Sequence, residues 1–520
     1  MAKIINLTIK YRENLEQALK KLEPDFIDYR VLSKSLDARN APNGSIPKYH
    51  YKLEVIYENE IFSIQNEKFV DLGALKLKPI IIGAGPAGLF CALRLLEYGI
   101  PSIIIERGQR SSVRMKSIAK FWRYGELDPE SNVCFGEGGA GLFSDGKLIT
   151  RIKSPFVNYV MKKLVEFGAP KEIVYYSNPH LGSNKIRTLI TYISDYLISG
   201  GCEMHFNSKF VNLIVKNNKV EGVKYSKDEK SIVLASENVV LAIGHSAKDT
   251  YSNLSHDLNF SAKDFSVGVR VEHPRKSFDK LQYGKFTDDN TLGASKYRLS
   301  YHDKEKNLGT YSFCMCPGGH VLSSGTDADG IVTNGMSNFK RNSPWSNAAI
   351  VVEVKKGVHF EDNFNSAIEF QKSIEQKAFN LSVSKASGKE MPAQRLKDFC
   401  DGKLSKSLPK TSCPSGIFSQ SMDEIFPKYI TNQLQTSFLK FDRKIKGFIQ
   451  NDALLIAPET RTSSPIRMER DRVSFESDKV EGVYPCGEGA GFAGGITSAA
   501  VDGVNCAMSI IEKEKDFKIT

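Results

Sequence analysis

Runs of like charge are missing from this sequence: no five consecutive residues carry the same sign, although Lys and Arg outnumber Asp and Glu by 71 to 60. Basic and acidic residues are interleaved along the chain, as on an ordinary solvated surface, whereas nucleic-acid-binding faces cluster their positive charge. We therefore expect no nucleic-acid partner. A composition of 41% hydrophobic and 25% charged residues is typical of a globular protein.

Signals for export or membrane insertion are also lacking. The N-terminal residues alternate between polar and apolar types and include no apolar segment of the kind found in signal peptides. The most apolar window, residues 79–105, contains Arg94 and Glu97 and is broken by glycine and proline, which argues against a membrane span. Nine cysteines, an odd number without the spacing of a disulfide framework, indicate a reducing compartment. We expect a cytoplasmic protein with no membrane span.

The chain of 520 residues is too long for one hydrophobic core, so we expect several domains. Residues 1–75 have a strand–helix–strand–strand pattern, which predicts a small ferredoxin-like module suited to packing or to docking a protein partner. Residues 251–476 lack a regular strand–helix rhythm and predict an inserted, mixed α+β substrate domain. Residues 477–520 return to a strand, a glycine turn and a closing helix.

Residues 79–250 predict the first part of an α/β domain. Residues 79–82 are a continuous apolar run, typical of a strand buried on both faces, residues 101–108 predict a second buried strand, and a helix ending at Gly99 separates them. Such a βαβ unit predicts a parallel sheet with a right-handed crossover. A three-stranded meander, turning at Asn217 and Asn218, should lead into a further buried strand. The predicted fold class is a Rossmann-like domain with a parallel sheet and a β-meander, which the C-terminal segment completes.

The pattern GxGxxG occurs three times, and only the copy at Gly83, Gly85 and Gly88 follows a buried strand and opens a helix. In this context Gly83 makes the tight turn, Gly85 lets the backbone approach a pyrophosphate, and Gly88 lets helix and strand pack closely. The N-terminus of the helix would face the phosphates. Glu106, at the end of the next strand, would accept hydrogen bonds from the ribose hydroxyls of an adenosine. The pattern therefore predicts a dinucleotide site.

The C-terminal glycine-rich segment decides which dinucleotide is predicted. An acidic residue at position 106 favours a free ribose over a 2′-phosphate, which leaves NAD and FAD. FAD extends beyond the pyrophosphate with a ribityl chain and a flavin ring, so its site needs a second protein segment. Glu488 follows a predicted strand and is placed to accept from ribityl hydroxyls, and a helix beginning near Gly495 points its N-terminus at the flavin. The sequence therefore predicts FAD as the cofactor.

Four segments, residues 80–108, 135–148, 239–250 and 484–503, together carry a family resemblance. The chain resembles the FAD-dependent oxidoreductases of the glutathione-reductase-like superfamily. More narrowly, it is similar to a mainly bacterial group described as NAD(FAD)-utilising dehydrogenases, to which the segment Asp37-Ala38-Arg39 and the strings FCMCPGG (313–319) and ETRTSSPIR (459–467) also correspond. The resemblance spans essentially the whole chain and implies non-covalently bound FAD.

By position, the resemblance also implies the residues that contact the cofactor. They are Gly83, Gly85, Pro86, Ala87 and Gly88 at the pyrophosphate; Glu106 and Arg107 near the adenosine; Gly139 and Lys147 in a second phosphate- or flavin-facing loop; Gly244 beside the cofactor; and Gly487, Glu488, Gly495, Ile496 and Thr497 along the ribityl chain and flavin ring. We interpret His245, next to Gly244, as a polar residue whose hydrogen bonds are satisfied.

Three residues are candidates for catalysis. Cys314 and Cys316 form a CxC pair, for which a redox dithiol is one interpretation. We favour buried thiols beside a glycine turn, because the spacing known to work in redox dithiols is CxxC and we expect the two side chains to point to opposite faces of a strand. Arg461, in a loop, either clamps a substrate carboxylate or phosphate or forms an inter-domain salt bridge, and the sequence leaves both interpretations open.

Arg270, His273 and His320 are weaker candidates for the same pocket and are interpreted as structural. Neither HxxxH nor CxxC occurs, so we predict no metal site. The sequence has no second strand–GxGxxG–helix unit for a nicotinamide, which leaves NAD(P)H open as a transient co-substrate.

The function predicted is an FAD-dependent oxidoreductase that transfers hydride or electron pairs to or from a small-molecule substrate. The alternatives are an RNA-modifying flavoprotein and a flavoprotein without redox turnover.

Overall fold

The structure is a computed structural model that describes residues 2–62 and 69–519, with side chains described as far as residue 515. Its strands are β1 (Lys3–Lys10), β2 (Asp28–Asp37), β3 (Lys48–Ile56), β4 (Ile80–Ile82), β5 (Ile103–Ile105), β6 (Glu203–His205), β7 (Lys209–Lys216), β8 (Lys219–Lys227), β9 (Lys230–Ala235), β10 (Val239–Leu241), β11 (Phe260–Ala262), β12 (Phe265–Pro274), β13 (Ser300–Asp303), β14 (Leu308–Cys316), β15 (His320–Ser323), β16 (Thr333–Met336), β17 (Trp345–Val354), β18 (Met391–Arg395), β19 (Ile417–Ser419), β20 (Leu454–Glu459), β21 (Ile466–Met468) and β22 (Val483–Pro485). Its α-helices are α1 (Leu15–Leu22), α2 (Pro86–Glu97), α3 (Ser111–Tyr124), α4 (Phe156–Glu166), α5 (Gly182–Ser199), α6 (Lys248–Leu254), α7 (Arg275–Tyr283), α8 (Phe364–Lys385), α9 (Leu396–Cys400), α10 (Lys428–Lys444) and α11 (Ile496–Ile519). The predicted domains 1–75 and 477–520 each include a few positions that lie outside the described residues.

The N-terminal segment forms a three-stranded antiparallel sheet in which β3 lies between β1 and β2. Helix α1 begins after Asn14, whose side-chain oxygen accepts a hydrogen bond of 3.0 Å from the N–H of Gln17. The helix buries Leu19 against the sheet. The predicted strand–helix–strand–strand order is confirmed. The hydroxyl of Tyr11 donates to Asp289 at 2.5 Å and so ties this segment to the rest of the chain.

Five short strands form the parallel sheet that the sequence predicts, in the order β22-β10-β4-β5-β6. All three isoleucines of β4 are buried, as expected for a strand that is covered on both faces. Helices α2 and α11 pack closely, since a Cβ at Gly503 would lie only 2.0 Å from the carbonyl oxygen of Ala87. The confirmed βαβ unit β4–α2–β5 therefore lies directly beside the C-terminal helix.

Strands β7, β8 and β9 form an antiparallel meander, and β10 of the parallel sheet follows it in the chain. Asn217 and Asn218, the predicted turn between β7 and β8, have φ angles of 50° and 58°. Asparagine tolerates this left-handed conformation better than most residues, and the conformation suits a tight hairpin turn. This prediction is confirmed.

A mainly antiparallel sheet of seven strands, in the order β13-β14-β17-β12-β20-β18-β19, occupies much of the segment predicted to be an insertion. Helix α8 packs near β18 and β20, and α10 packs near β13, β14 and β17. Strands and helices are mixed as predicted, whereas the boundaries of an inserted domain stay a prediction. Among the helices described, none is long and apolar enough to cross a membrane.

Candidate functional site

A cavity of about 360 Å³ lies at the carboxyl ends of the parallel strands. Strand β4 lies between β5 and β10, so the strand order reverses there, and ligands of open α/β sheets bind at such a reversal. Gly83 after β4, Gly244 after β10 and Glu488 after β22 line the cavity. Its other wall comes from the seven-stranded sheet, with Cys314 of β14 and Glu459 of β20. The two largest sheets therefore enclose the cavity together.

The three glycines of the first glycine turn, Gly83, Gly85 and Gly88, have different structural roles. Gly83 has a φ of +106°, and a Cβ there would lie 2.4 Å from the carbonyl oxygen of Ala242. A Cβ at Gly88 would lie 2.0 Å from the carbonyl oxygen of Gly83, so this glycine permits the close packing of helix and strand. A Cβ at Gly85, in the cavity wall, would meet no atom of the part of the chain that the structure describes within 4 Å. Two glycines thus serve the turn itself, and the third leaves room on the cavity side.

Glu106 is engaged mainly by backbone groups. Its carboxylate accepts hydrogen bonds from the N–H groups of Ala84 at 2.8 Å, Gly108 at 2.9 Å and Gly136 at 2.9 Å. A carboxylate offers about four acceptor positions, so these bonds use most of its capacity. Glu106 lines the cavity and ties the first glycine turn to the second glycine-rich loop. Its contact with a ribose stays a prediction.

Arg107, the other residue predicted near the adenosine, also lines the cavity. Its guanidinium donates to Glu130 at 2.8 Å and, through two nitrogens at 3.0 Å each, to Asp249. The guanidinium carbon lies 4.1 Å from the centre of the Phe135 ring. These contacts hold the arginine in a fixed position at the adenosine end of the predicted site.

His245 is not the satisfied residue that the sequence suggested. Its Nδ1 lies 2.9 Å from Oε1 of Glu488, which joins the strand end after β10 to the C-terminal glycine segment. Its Nε2 is buried and has no hydrogen-bond partner among the described residues. An unpaired buried polar atom costs about 1–3 kcal/mol, so it marks a place where a ligand group would be stabilised. Both residues line the cavity.

Most of the predicted site residues meet at this one cavity. Those that line it are Gly83, Gly85, Pro86, Ala87, Glu106, Arg107, Gly139, Lys147, Gly244, Glu488, Gly495, Ile496, Cys314 and Arg461. Gly88, Gly487, Thr497 and Cys316 are not among the described lining residues. Gly487 donates its N–H to Asp502 at 2.7 Å, and the Thr497 hydroxyl donates to the carbonyl of Leu148 at 2.8 Å. These two residues support the wall rather than form it.

Arg461 is held in a buried network that uses all five of its N–H donors. Two nitrogens contact the carboxylate of Glu375, at 3.0 and 2.9 Å. The remaining donors reach Ser246 at 3.1 Å, Thr326 at 2.7 Å and Asp327 at 3.2 Å. With no donor left over, the contacts favour a salt bridge over a substrate clamp, but its carboxylates, Glu375 and Asp327, lie with Arg461 in the predicted segment 251–476, so the bridge is not the inter-domain one that the sequence suggested.

Glu375 stays ionised although it is buried. Burial would raise its pKa, but the charges of Arg461 and Lys248 outweigh burial and lower the pKa from 4.5 to about 2. Because the pKa is depressed in the folded state, the carboxylate stabilises the fold fully above about pH 4.5, and this contribution is lost as the pH falls toward 2. At about 1.4 kcal/mol per pH unit, the loss amounts to roughly 3 kcal/mol.

The stability of the protein at low pH should depend on the ionisation of Glu375. We expect the thermal unfolding midpoint to fall as the pH is lowered from 4.5 to 2, and to fall less in a Glu375→Gln variant, which has no carboxylate to protonate. Thermal unfolding followed by circular dichroism at a series of pH values measures the midpoints of the parent chain and of the variant. An equal fall in the two proteins would contradict the assignment.

The weaker candidates Arg270, His273 and His320 have structural surroundings. Arg270 is fully buried and pairs with Glu459 through two contacts of 2.9 Å each. The Nε2 atom of His273 lies 2.9 Å from the carbonyl oxygen of Phe448, and burial lowers the pKa of this histidine to about 4. Burial also lowers the pKa of His320. None of the three is among the described residues that line the cavity.

Two carboxylates in the cavity wall were not predicted. Asp145 is buried, and its carboxylate accepts hydrogen bonds from Arg341, one of them 2.9 Å long, and from Ser337. Glu459 ends β20 and lines the cavity as well. Asp145 falls inside the second glycine-rich loop, and Glu459 opens the string ETRTSSPIR. Their position inside these two motifs could have identified both carboxylates as candidate site residues.

The expectation that the two side chains of the CxC pair point to opposite faces does not follow from their spacing. Residues i and i+2 of a regular strand share a face, and β14 in addition contains a β-bulge: Phe313 pairs with Ala349 and Cys316 with Asn347, so one extra residue is inserted. Cys314, inside the bulge, has a φ of +43°. The Cys316 thiol donates to the carbonyl oxygen of Cys314, 3.4 Å away. Cys314 lines the cavity, whereas Cys316 is fully buried.

Comparison with known proteins identifies the family. Residues 76–119, which contain β4, α2 and β5, match the family described as FAD binding domain. Residues 264–462, which contain the seven-stranded sheet, match the family described as FAD-dependent protein, C-terminal domain-like. A protein of Clostridium beijerinckii, described as uncharacterized, is 37% identical over 533 residues, which cover 98% of this chain and 98% of that protein. The chain belongs to the same family as this clostridial protein. It is an FAD-dependent flavoprotein.

Solved structures resemble the flavoprotein weakly. A flavin-dependent brominase is 12% identical, with 84% of this chain and 79% of that chain covered and a TM-score of 0.38. Quinol fumarate reductase from E. coli is 9% identical, with 85% and 71% covered and a TM-score of 0.38. Glycerol-3-phosphate dehydrogenase from Bacillus halodurans, complexed with FAD, is 10% identical, with 85% and 65% covered and the same TM-score of 0.38. Similarity at this level says nothing about the chemistry of the flavoprotein.

Proposed function

We propose that the flavoprotein is an oxidoreductase that transfers hydride or electron pairs between its FAD and a small-molecule substrate. One observation carries the proposal: the two glycine-rich segments predicted to hold opposite ends of FAD, near residues 83–88 and 484–500, line a single cavity. The match of residues 76–119 to an FAD binding domain supports the placement of the cofactor at the first of these segments.

The residues of the cavity wall fit this cofactor. At Gly85, Gly244 and Gly494 a Cβ would meet no atom of residues 2–62 or 69–515 within 4 Å, so the wall leaves room where a backbone must approach a ligand closely. The unpartnered Nε2 of His245 adds a polar group that a ligand can satisfy. A site with open backbone and one unsatisfied ring nitrogen is suited to a long, polar cofactor.

In the proposed complex, residues 83–87 and the N-terminus of α2 bind the pyrophosphate. Glu106 and Arg107 lie at the adenosine end, and Glu488 and Ile496 at the ribityl and flavin end. When bound, FAD supplies the two-electron chemistry. The N-terminus of α11 faces the cavity through Ile496 and stabilises negative charge there. The wall formed by the seven-stranded sheet excludes water and orients the substrate.

We also propose a narrower family group, a cellular location, a co-substrate and a role for the N-terminal segment. Membership of the glutathione-reductase-like group is supported by the four segments that carry the resemblance, and a cytoplasmic location by nine free cysteines. NAD(P)H is proposed as a transient co-substrate, since the sequence offers it no site of its own. A role in docking a protein partner, proposed for the N-terminal ferredoxin-like module, is supported by the exposed apolar side chains of Ile4, Leu22 and Ile27, which are 48%, 53% and 61% exposed.

The absorption spectrum of the purified protein tests the proposal. We expect flavin bands, release of FAD on heat denaturation, and bleaching of the bands in an anaerobic titration with NADH or NADPH. A protein that stays colourless after reconstitution with FAD would contradict the cofactor site. Bands that neither nicotinamide bleaches, together with salt-sensitive co-purification of RNA, would favour the RNA-modifying alternative.

A further inference from the structure

The two ring nitrogens of His245 have different surroundings. Nδ1 lies 2.9 Å from a carboxylate oxygen of Glu488, whereas Nε2 is buried and has no hydrogen-bond partner in the part of the chain that the structure describes. The side chain of His245 is 13% exposed and lines the cavity. A buried polar atom that stays unpaired destabilises a fold, and a ligand group that pairs with it removes this cost.

The contact with Glu488 determines what kind of group Nε2 can bind. A carboxylate oxygen accepts hydrogen bonds, so Nδ1 of His245 must carry the hydrogen that lies between the two side chains. In the neutral imidazole, Nε2 is then an acceptor. An acceptor pairs with a donor, and FAD carries hydroxyl donors on its ribityl chain and on the ribose of its adenosine. The position of His245 decides between these two sets of hydroxyls.

The order of the strands places His245 at the ribityl chain. Strand β10, which ends shortly before His245, lies between β4 and β22 in the parallel sheet. The turn after β4 is assigned to the pyrophosphate, and the segment after β22 to the flavin end. The part of FAD that joins the pyrophosphate to the flavin therefore passes the end of β10, and that part is the ribityl chain. The adenosine end lies on the opposite side of β4, where Glu106 follows β5.

The backbone on both sides of the pair is fixed. The hydroxyl of the buried Tyr251 is within hydrogen-bonding distance of two carbonyl oxygens, that of Gly244 at 3.1 Å and that of Gly489 at 3.0 Å. A Cβ at Gly489 would lie 2.7 Å from the carbonyl oxygen of Gly244, so the two loops are in direct contact. His245 follows one of these glycines and Glu488 precedes the other. The orientation of the imidazole is thus set within the protein, which lowers the entropic cost of binding a ligand.

We propose that His245 binds a hydroxyl of the ribityl chain through Nε2, and that Glu488 is a positioning residue that acts through His245. The inference rests on the proposed function, because it assumes FAD in this cavity. It changes the role that the resemblance implies for Glu488, which was to accept from the ribityl hydroxyls directly. The contact of 2.9 Å commits one oxygen of Glu488 to the imidazole instead.

Binding of FAD and of its two halves to the full chain freed of flavin tests the contact. FMN carries the ribityl chain and the flavin, whereas ADP carries the adenosine and the pyrophosphate. In His245→Ala we expect the dissociation constants of FAD and FMN to rise about 10-fold, as for one lost hydrogen bond, and that of ADP to change less than about 2-fold.

His180→Ala is the matched control. His180 is also a half-buried histidine, but its Nε2 already lies 3.0 Å from the carbonyl oxygen of Phe339, and His180 is not among the described residues that line the cavity. None of the three dissociation constants should change in this variant. Thermal unfolding of the flavin-free proteins shows whether each variant is folded.

A double variant tests the positioning role of Glu488. If Glu488 acts only through His245, then His245→Ala combined with Glu488→Ala should bind FAD as weakly as His245→Ala alone, because the two effects are not independent. Additive losses would show that Glu488 contacts the cofactor by itself and would overturn this part of the inference.

Nitrogen NMR of the parent chain, with its histidines labelled with ¹⁵N, gives a second readout that needs no stable alanine variant. In mildly alkaline buffer, Nε2 of His245 should have the chemical shift of an unprotonated ring nitrogen, and its signal should move on addition of FAD or FMN but not of ADP. The signal is assigned by its absence from His245→Gln. A signal that responds to ADP as it does to FAD would contradict the contact.

The outcomes separate this inference from the proposed function. An unchanged FAD dissociation constant in His245→Ala, or a loss that ADP shares and FMN does not, would overturn the contact. If either occurs while NADH or NADPH bleaches the flavin, the contact fails and the proposed oxidoreductase stands. If the expected loss occurs and neither nicotinamide bleaches the flavin, the contact stands and the proposed NAD(P)H-linked reaction fails.

Discussion

Gly85→Ala is expected to fold as the parent chain does and to bind FAD about 10- to 100-fold more weakly. Gly85 has a φ of −78°, which alanine adopts without strain, and its added Cβ would meet no protein atom within 4 Å. The methyl group therefore costs nothing in the protein alone. It occupies the room that we assign to the pyrophosphate, where overpacking costs about 1–3 kcal/mol, or roughly one to two powers of ten in affinity.

Substitutions at two other glycines serve as controls for Gly85→Ala. Gly330→Ala places its Cβ in ordinary van der Waals contact, with the nearest atom 3.6 Å away, at a position outside the cavity, so FAD affinity should not change. Gly88→Ala would press its Cβ against the carbonyl oxygen of Gly83 at 2.0 Å and should destabilise the fold itself. Fluorescence titration with FAD and thermal unfolding separate the three cases. An unchanged affinity in Gly85→Ala would place the cofactor elsewhere.

The parts of the fold that the sequence predicts are those set by local pattern. The apolar run of β4, the glycines at positions 83, 85 and 88 and the helix that follows them are contiguous, so their period and turn chemistry identify a βαβ unit directly. The hairpin at Asn217 and Asn218 is equally local. The C-terminal strand, turn and helix were predicted on the same grounds, and all of these elements are present in the structure.

The partners of the site residues could not be predicted, because they are set by tertiary contacts. Glu375 is 86 positions before Arg461 and lies on a helix whose sequence gives no sign of a buried ion pair. The three backbone donors around Glu106 come from three different loops. The bulge at Cys314 depends on the register between β14 and β17, which a single sequence does not specify.

Arg461→Met is expected to lower the free energy of unfolding by about 3–5 kcal/mol. The side chains of Arg461 and Glu375 are only 6% and 1% exposed, and removing Arg461 breaks this buried ion pair and leaves the carboxylate of Glu375 with Lys248, 2.9 Å away, to offset its charge. Arg12→Met is the matched control: Arg12 pairs with Asp289, but its side chain is 70% exposed, so the loss should not exceed about 1 kcal/mol. Thermal unfolding midpoints at one scan rate rank the variants. A substrate-clamping arginine would instead raise KM and leave the midpoint unchanged.

A second substitution distinguishes a lost ion pair from a lost side-chain volume. In Arg461→Met combined with Glu375→Gln, the buried negative charge is gone, and Lys248 keeps its contact of 3.1 Å with Asp327. Because replacing a buried ion pair as a whole costs less than breaking it, the double variant should unfold at a higher temperature than Arg461→Met alone. A double variant that is less stable than the single one would mean that packing around Arg461, rather than its charge, stabilises this wall of the cavity.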